Sequence, residues 1–401
     1  MKKPKLNSDA GVWEPDKVGE RESENVRKMV DNSKSPLTIN HSSFIIHNSP
    51  FIINQKAFVL VTTLWVLAIL TIAASFFALW TQHALNLAQT MQDDLQGEID
   101  MSSTQATVIY LLTTQRFTIG GLILPIEDEE KAQEIEAKLK DSILAVGGEM
   151  AVDDRVYFGY GKALFALQDE AGLLGINFVS RTVMNRLIGL LGVEQEARNP
   201  LIAKFYDYID ADKLHRLNGA EAAHYEKRDL SPPSNHFLIT PQESHRVLDW
   251  AEQTKLWESN QLGQLTNVVL PGLPNFNTAP AMVLQAVFNM DAESAERLIK
   301  VRQSLPFYST KAIDQLGGIG FSLDQFDTNF FSSYYLRLTL WYQGSQRMRQ
   351  IHFKLTERGD KKKPWQIEYS LELELLPKYK EAYPSYVQTA ILNSTLSAKT
   401  Q

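Results

Sequence analysis

Cysteine is absent from the 401-residue chain. Structural disulfides and thiolate metal sites are therefore excluded, while the compartment stays open, since exported and cytosolic chains alike can lack cysteine. Catalytic signatures are missing as well. The chain has no Gly-x-Ser-x-Gly elbow, no Walker loop and no His-Glu-x-x-His, and Gly159-Tyr-Gly-Lys162 lacks the Gly that opens a phosphate loop. The eight His residues are scattered, and His236 and His245 are not at helical i, i+4 spacing. These absences argue against an enzyme. Positive charge is also in short supply: the formal net charge is −7, and residues 58–401 hold 31 Lys/Arg against 40 Asp/Glu. An acidic body argues against general nucleic-acid binding and leaves carboxylates free for a hard cation.

The longest absence is of charge itself. Ala57 to Trp80 reads AFVLVTTLWVLAILTIAASFFALW, with Thr62, Thr63, Thr71 and Ser75 as its only polar residues. As a helix it spans about 36 Å, enough to cross a hydrocarbon core of roughly 30 Å with some tilt. A buried core helix would show a polar face, and this stretch has none. Lys56 precedes it directly, and no acidic or basic residue follows until Asp93. The helical pattern continues past Trp80, with Ala84, Ala88, Met91 and Leu95 on one stripe and Val108–Leu112 extending it beyond Gly97. No small-residue cleavage site interrupts it, so a secretory signal peptide is not indicated. Residues 1–55 read as a leader or as translated sequence ahead of a mis-called start. Their first part is of mixed charge with few apolar residues, and NHSSFII and HNSPFII then form a near-repeat without helical period.

The soluble part mixes helices and strands. EDEEKAQEIEAKLKDSI predicts a helix with Ile135, Leu139 and Ile143 as its apolar stripe. Asp153–Tyr160 and Ala163–Leu167 read as strands, and residues 331–377 as three more joined by polar turns such as RGDKKKP. Residues 181–252 read as helical, with Met184, Leu187, Ile188 and Leu191 on one face. Thr278 is expected to cap the helix that begins near Pro280. The last 24 residues read as a loose tail.

The junction KAFVLVTTLWVLAILTI resembles the class III leader junction of type IV pilin-like proteins, with Ala57 as the last leader residue and Phe58 as the first mature one. Ala57 replaces the usual Gly, and Thr62 stands where most pilins carry Glu. That departure, together with Leu64-Trp65, resembles the large minor pseudopilins K of type II secretion systems. QDEAGLLGINFVS, with Asp169, Glu170, Gly172 and Asn177, is similar to a turn of that family, although Gly175 replaces its first Asn. The most specific stretch is PLIAKFYDYIDADKLHRLNGAEAAHY, where Asp207, Ile209, Asp210, Asp212, Arg216, Asn218, Gly219, Ala220, Glu221 and Tyr225 match and Tyr208 replaces a Trp. NTAPAMVLQ and the order helix, hairpin, helix, PF-x-S, helix, Gly-rich hairpin resemble the family's paired helix-hairpin-helix units. The resemblance covers Lys56 to about Leu376.

The resemblance implies an α+β, pilin-like fold. A long N-terminal transmembrane helix packs on a small antiparallel sheet, interrupted by an inserted all-α domain with helix-hairpin-helix-like units. The expected limits are 1–57 for the leader or extension, 58–80 for the membrane half of the helix, 81–175 and 328–378 for the pilin-like domain, 176–327 for the insertion and 379–401 for the tail. It implies a fibre-tip subunit that initiates or caps the pseudopilus and aids export across the outer membrane. A missing Glu fits that place, because a subunit with nothing above it needs no carboxylate to pair with a neighbour's N-terminal amine. It further implies an inner-membrane, single-pass location with the soluble part in the periplasm. The implied partners are the prepilin peptidase, with methylation, the minor pseudopilins I and J, and secreted substrates. Two other readings are an uncleaved single-pass anchored binding protein, and a membrane-bound DNA-uptake protein reading phosphates through the hairpin Leu316-Gly-Gly-Ile-Gly320, which is followed by the acidic run FSLDQFD.

Asp210, Asp212 and Glu221 are the candidate metal ligands. Ca²⁺ takes six to eight oxygens, and Asp-x-Asp on a loop followed by Gly and Glu supplies several, though not with EF-hand spacing. The same residues also make a purely structural turn, with Asp210 as a cap, Arg216 paired to Glu221, and Asn218-Gly219 supplying positive φ. The resemblance adds structural calcium as a family associate without assigning its ligands.

Overall fold

A computed structural model describes residues 55–126, 128–140, 142–317, 328–360, 363–386 and 392. Its first element is α1, Gln55–Thr114, a single helix through Gly97. The described residues up to Ala78 and those from Leu79 onward form two separate units. In the first, every residue from Phe58 onward is exposed, with Trp65 at 67% and Phe76 at 75%. The hydroxyls of this stretch bond within the helix: Thr62 to the Phe58 carbonyl, Thr63 to Leu60, Thr71 to Ala68 and Ser75 to Thr71. A helix facing hydrocarbon requires this, because lipid offers no hydrogen-bond partner.

In the second unit the C-terminal part of α1 is amphipathic, burying Met101, Val108, Leu111 and Leu112. These residues pack on an antiparallel sheet of five strands among the described residues. The strands are β1 (Asp153–Phe158), β2 (Ala163–Asp169), β3 (Tyr335–Tyr342), β4 (Arg347–Asp360) and β5 (Lys363–Glu374), paired in that order. Alternation along β2 sends Phe165 and Leu167 toward the α1 cluster, and Leu164 and Ala166 to the opposite face with Trp341 and Tyr379. Gly97 is required where it stands. A Cβ there would lie 2.5 Å from the Tyr342 ring, whose hydroxyl donates to Asp94 at 2.9 Å. The turn Gly159-Tyr-Gly-Lys162 docks on α1, with the Tyr160 amide on Thr104 Oγ1 and the Lys162 amide on Asp100 Oδ2, both at 2.9 Å.

The chain between β2 and β3 is mainly helical. Its principal helices after α2 (Glu129–Leu139) are α3 (Arg181–Leu190), α4 (Gln195–Ile209), α5 (Ala281–Phe288), α6 (Ala292–Ser304) and α7 (Thr310–Gly317). Ser180 caps α3, which buries Met184, Leu187 and Ile188, the face read from the sequence. Trp250, Phe205, Phe276 and Phe307 centre the core of this region.

Three local expectations change. α2 ends at Leu139, with Asp128 as its N-cap, and Ile143 is 49% exposed beyond it. Residues 211–252 are largely turns rather than helix, apart from Ala222–Glu226 and a 3₁₀ turn over Pro241–Arg246. Pro232, Pro233 and Pro241 withhold backbone donors, and Asn218, Asp229, Asn235 and Asp249 take positive φ, so periodicity there does not reach a continuous ladder. Thr278 does not cap α5: the N-cap is Pro280, and the Thr278 hydroxyl donates instead to Asp169 at 2.9 Å.

Candidate metal centre

α4 ends in acid. Asp207 lies in its last turn, Asp210 is its C-cap and Asp212 follows. Carboxylates at a helix C-terminus face the negative end of the dipole, so the position is unfavourable without a cation. The chain supplies one. Arg216 donates from Nη1 to Asp207 Oδ1 at 2.6 Å and to Asp210 Oδ2, and its backbone N–H reaches Asp207 Oδ2 at 3.1 Å. The expected Arg216–Glu221 pair is therefore not the one formed. Asn218 takes φ +64°, as expected. Gly219 does not, and its requirement is close approach: a Cβ there would lie 1.8 Å from Asp207 Oδ2.

Asp210, Asp212 and Glu221 come together as the sequence proposed. One carboxylate oxygen from each lies within 4.8 Å of the others. Asp212 Oδ1 accepts from the Leu214 amide at 2.7 Å. Asp210 Oδ1 and Glu221 Oε1 are buried and accept from nothing. Burial, followed by the negative charge of Asp207, Asp210 and Asp212, pushes the Glu221 carboxyl above its usual range, with His215 opposing the shift. Four carboxylates, of which Arg216 pairs with Asp207 and Asp210, leave an excess of negative charge and two unused buried acceptors. Such a donor set, oxygen only and partly anionic, fits a hard divalent cation.

A second buried carboxylate joins the sheet to the helices. Asp169, at the end of β2, accepts at Oδ1 from the Ala171 amide (3.0 Å), the Ser333 amide (2.9 Å) and the Ser333 hydroxyl (2.7 Å). Oδ2 accepts from Asn275 Nδ2 at 3.0 Å and from Thr278. Beside it, His352 Nδ1 lies 2.6 Å from Glu170 Oε1, with Tyr369 stacked on the ring. Asp169, Glu170 and Asn177 stand out in the sequence as a motif, but their role as a joint does not, because Asn275, His352 and Leu238, on which it depends, lie more than 60 positions away along the chain. Ala57 and Phe58 lie within α1, Phe58 being 68% exposed. Of the hairpin Leu316–Gly320, residues 318–320 fall outside the described residues.

An apolar helix long enough to cross a membrane, continuing into an amphipathic half packed on an antiparallel sheet, is an α+β arrangement of the pilin-like class. Two family models, both described as type II secretion system (T2SS) protein K, match residues 165–256 and 274–330. Over these two stretches, and within the helical region between β2 and β3 above all, the chain is similar to the type II secretion system protein K family. A solved structure, the GspK-GspI-GspJ complex from the type 2 secretion system of enterotoxigenic Escherichia coli, is similar at 14% identity with a TM-score of 0.44, covering 72% of this chain and 99% of that one. The search of curated proteins gave no match.

Proposed function

We propose that the protein is a tip subunit of the type II secretion pseudopilus: it initiates or caps the fibre and so aids export of folded proteins across the outer membrane. α1 carries this reading. Its apolar stretch anchors the subunit in the inner membrane before assembly, with the soluble part in the periplasm, and enters the fibre core afterwards. The Thr62 hydroxyl is used within its own helix, on the Phe58 carbonyl, so position five of the mature chain offers no charge to a subunit above. The bulk of the inserted helical region blocks further addition at that end. The partners are the minor pseudopilins I and J, together with the secreted substrates. The role is structural rather than catalytic, in keeping with the family matched. The prepilin peptidase cuts between Ala57 and Phe58.

Calcium is part of the same proposal. Asp210, Asp212 and Glu221 hold a Ca²⁺ ion that takes up the two unused buried acceptors and locks the loop between α4 and Tyr225.

The decisive experiment is the N-terminal mass of the protein from native membranes, with and without the peptidase gene. A mature form beginning at Phe58 only when the peptidase is present is expected. An N-terminus upstream of Phe58 in both strains would make the protein an uncleaved anchor and remove it from the fibre.

A further inference from the structure

A cleft of about 600 Å³ opens between β1 and the helical region. Leu265, Met282, Ile299 and Leu376 form part of its apolar wall. Its charged groups are mostly spoken for. Arg155 makes a two-point pair with Asp153 at 2.8 Å, and Lys378 pairs with Asp154. Arg302 is different. It is 6% exposed, and among the described residues no carboxylate lies at ion-pair distance from it, although Asp153, already paired with Arg155, acts on it from farther off. Its Nη1 donates to the carbonyls of Phe276 and Ala279, each at 2.7 Å, while Nε is buried with no acceptor. Burial pushes the guanidinium down to about 10. A second cleft residue has the complementary vacancy. Gln168, fully buried, donates from Nε2 to the carbonyls of Asp169 (2.7 Å) and Thr278 (3.1 Å), leaving Oε1 with no donor.

A buried cation lacking an anion and a buried carbonyl lacking a donor each cost stability until they are matched. One chemical unit matches both: the last residue of a peptide, whose α-carboxylate accepts and whose backbone N–H donates. An apolar wall adds the requirement for apolar side chains next to that terminus. A void of about 20 Å³ also touches Arg302, room for a single water, which is the competing partner for Nε. Such a water would satisfy the guanidinium but leave the larger apolar cleft without an occupant.

We propose that this cleft binds the C-terminal end of an apolar peptide segment, with its carboxylate on Arg302 and its terminal amide N–H on Gln168. The site is separate from the acidic loop, and its assignment does not depend on membership of a pseudopilus. The test is titration of the full-length protein in detergent with N-acetylated alanyl-valyl-leucine as the free acid, as its C-terminal amide, and with decanoate. Saturable binding of the free acid is expected, at least tenfold tighter than either of the other two, because a charge-assisted bond and the amide N–H are each absent from one of them. Arg302→Gln should remove the preference for acid over amide. Because that change risks the fold, Met282→Trp supplies a second probe: it fills the cleft from a half-buried position and should abolish binding while the melting temperature is kept. Equal binding of acid and amide, equal binding of decanoate, no binding of any of the three, or unchanged binding to Met282→Trp would each overturn the proposal.

Discussion

Asp169 and the acidic loop after α4 are two answers to one problem, a carboxylate taken out of water. Around Asp169 the protein brings its own donors. Five hydrogen bonds from Ala171, Asn275, Thr278 and Ser333 converge on two oxygens. Burial pushes this carboxyl up, and the bonds from Ser333, Asn275 and Ala171 pull it back. The acidic loop does the reverse. It gathers Asp207, Asp210, Asp212 and Glu221, pairs only Asp207 and Asp210 with Arg216, and leaves buried Asp210 Oδ1 and Glu221 Oε1 without donors. A closed network of this kind is a structural joint, whereas the open, mostly acidic cluster keeps acceptors that the protein itself does not match. Burial alone does not separate them; the ledger of donors does.

That distinction breaks most sharply at Asp169. Asp169→Ala strands several buried donors at once and is expected to destabilise the protein by about 3 kcal/mol or more, read by denaturation of the full chain in detergent. A loss below about 1 kcal/mol would mean that water replaces the carboxylate and that the joint is not closed. Next in size is the response to calcium. With Ca²⁺ at a hundred times its Kd, the melting curve should move up by the equivalent of about 2.7 kcal/mol relative to EGTA. Asp212→Asn changes an exposed residue and should weaken that response on the order of tenfold, since ligand charge sets affinity. Identical curves in EGTA and Ca²⁺ would turn the open cluster into a purely structural turn.

The smallest effect is on pH dependence. Glu221 is held above its ordinary range in the fold, so the folded state binds more protons than the unfolded one between the ordinary value and the raised value. Its contribution is present below that window and is lost as pH rises through it. In EGTA the wild type should therefore lose stability relative to Glu221→Gln as pH climbs above the usual carboxylate range. Calcium, which requires the ionised form, should cancel the difference. Parallel curves with and without calcium would show that Glu221 does not face the cation.

The sequence was most legible where physics is local. The apolar run of α1, the buried face of α3 and the strands of the sheet follow from composition and period alone, and the gathering of Asp210, Asp212 and Glu221 follows from a tight loop. Partner choice was not local. Arg216 is nine positions from Asp207 and five from Glu221, and nothing in that spacing says that the helix-end carboxylates outcompete the later Glu. Thr278 looks like a cap because it stands two residues before Pro280, yet Asp169 claims its hydroxyl from more than a hundred residues away. The polar layer of Gln168, Arg337, Thr339, Gln350 and His352, buried between sheet and helices, was likewise invisible: on a strand these residues read as a solvated face.

The junction at Asp169 also sets the order in which the molecule can be made. β2 and β3 lie side by side, with Asp169 opposite Leu336, yet the whole helical region separates them in the chain. Closing an unstructured loop costs about 0.6 kcal/mol more with each doubling of its length, and contacts so distant in sequence form slowly. A helical region that folds first converts that long loop into a short rigid bridge whose two ends already meet. Ser333, Asn275 and Thr278 then arrive at Asp169 as a prepared set. On that route the sheet under α1 closes last, because β3 reaches β2 only once the helical region between them has shortened the span.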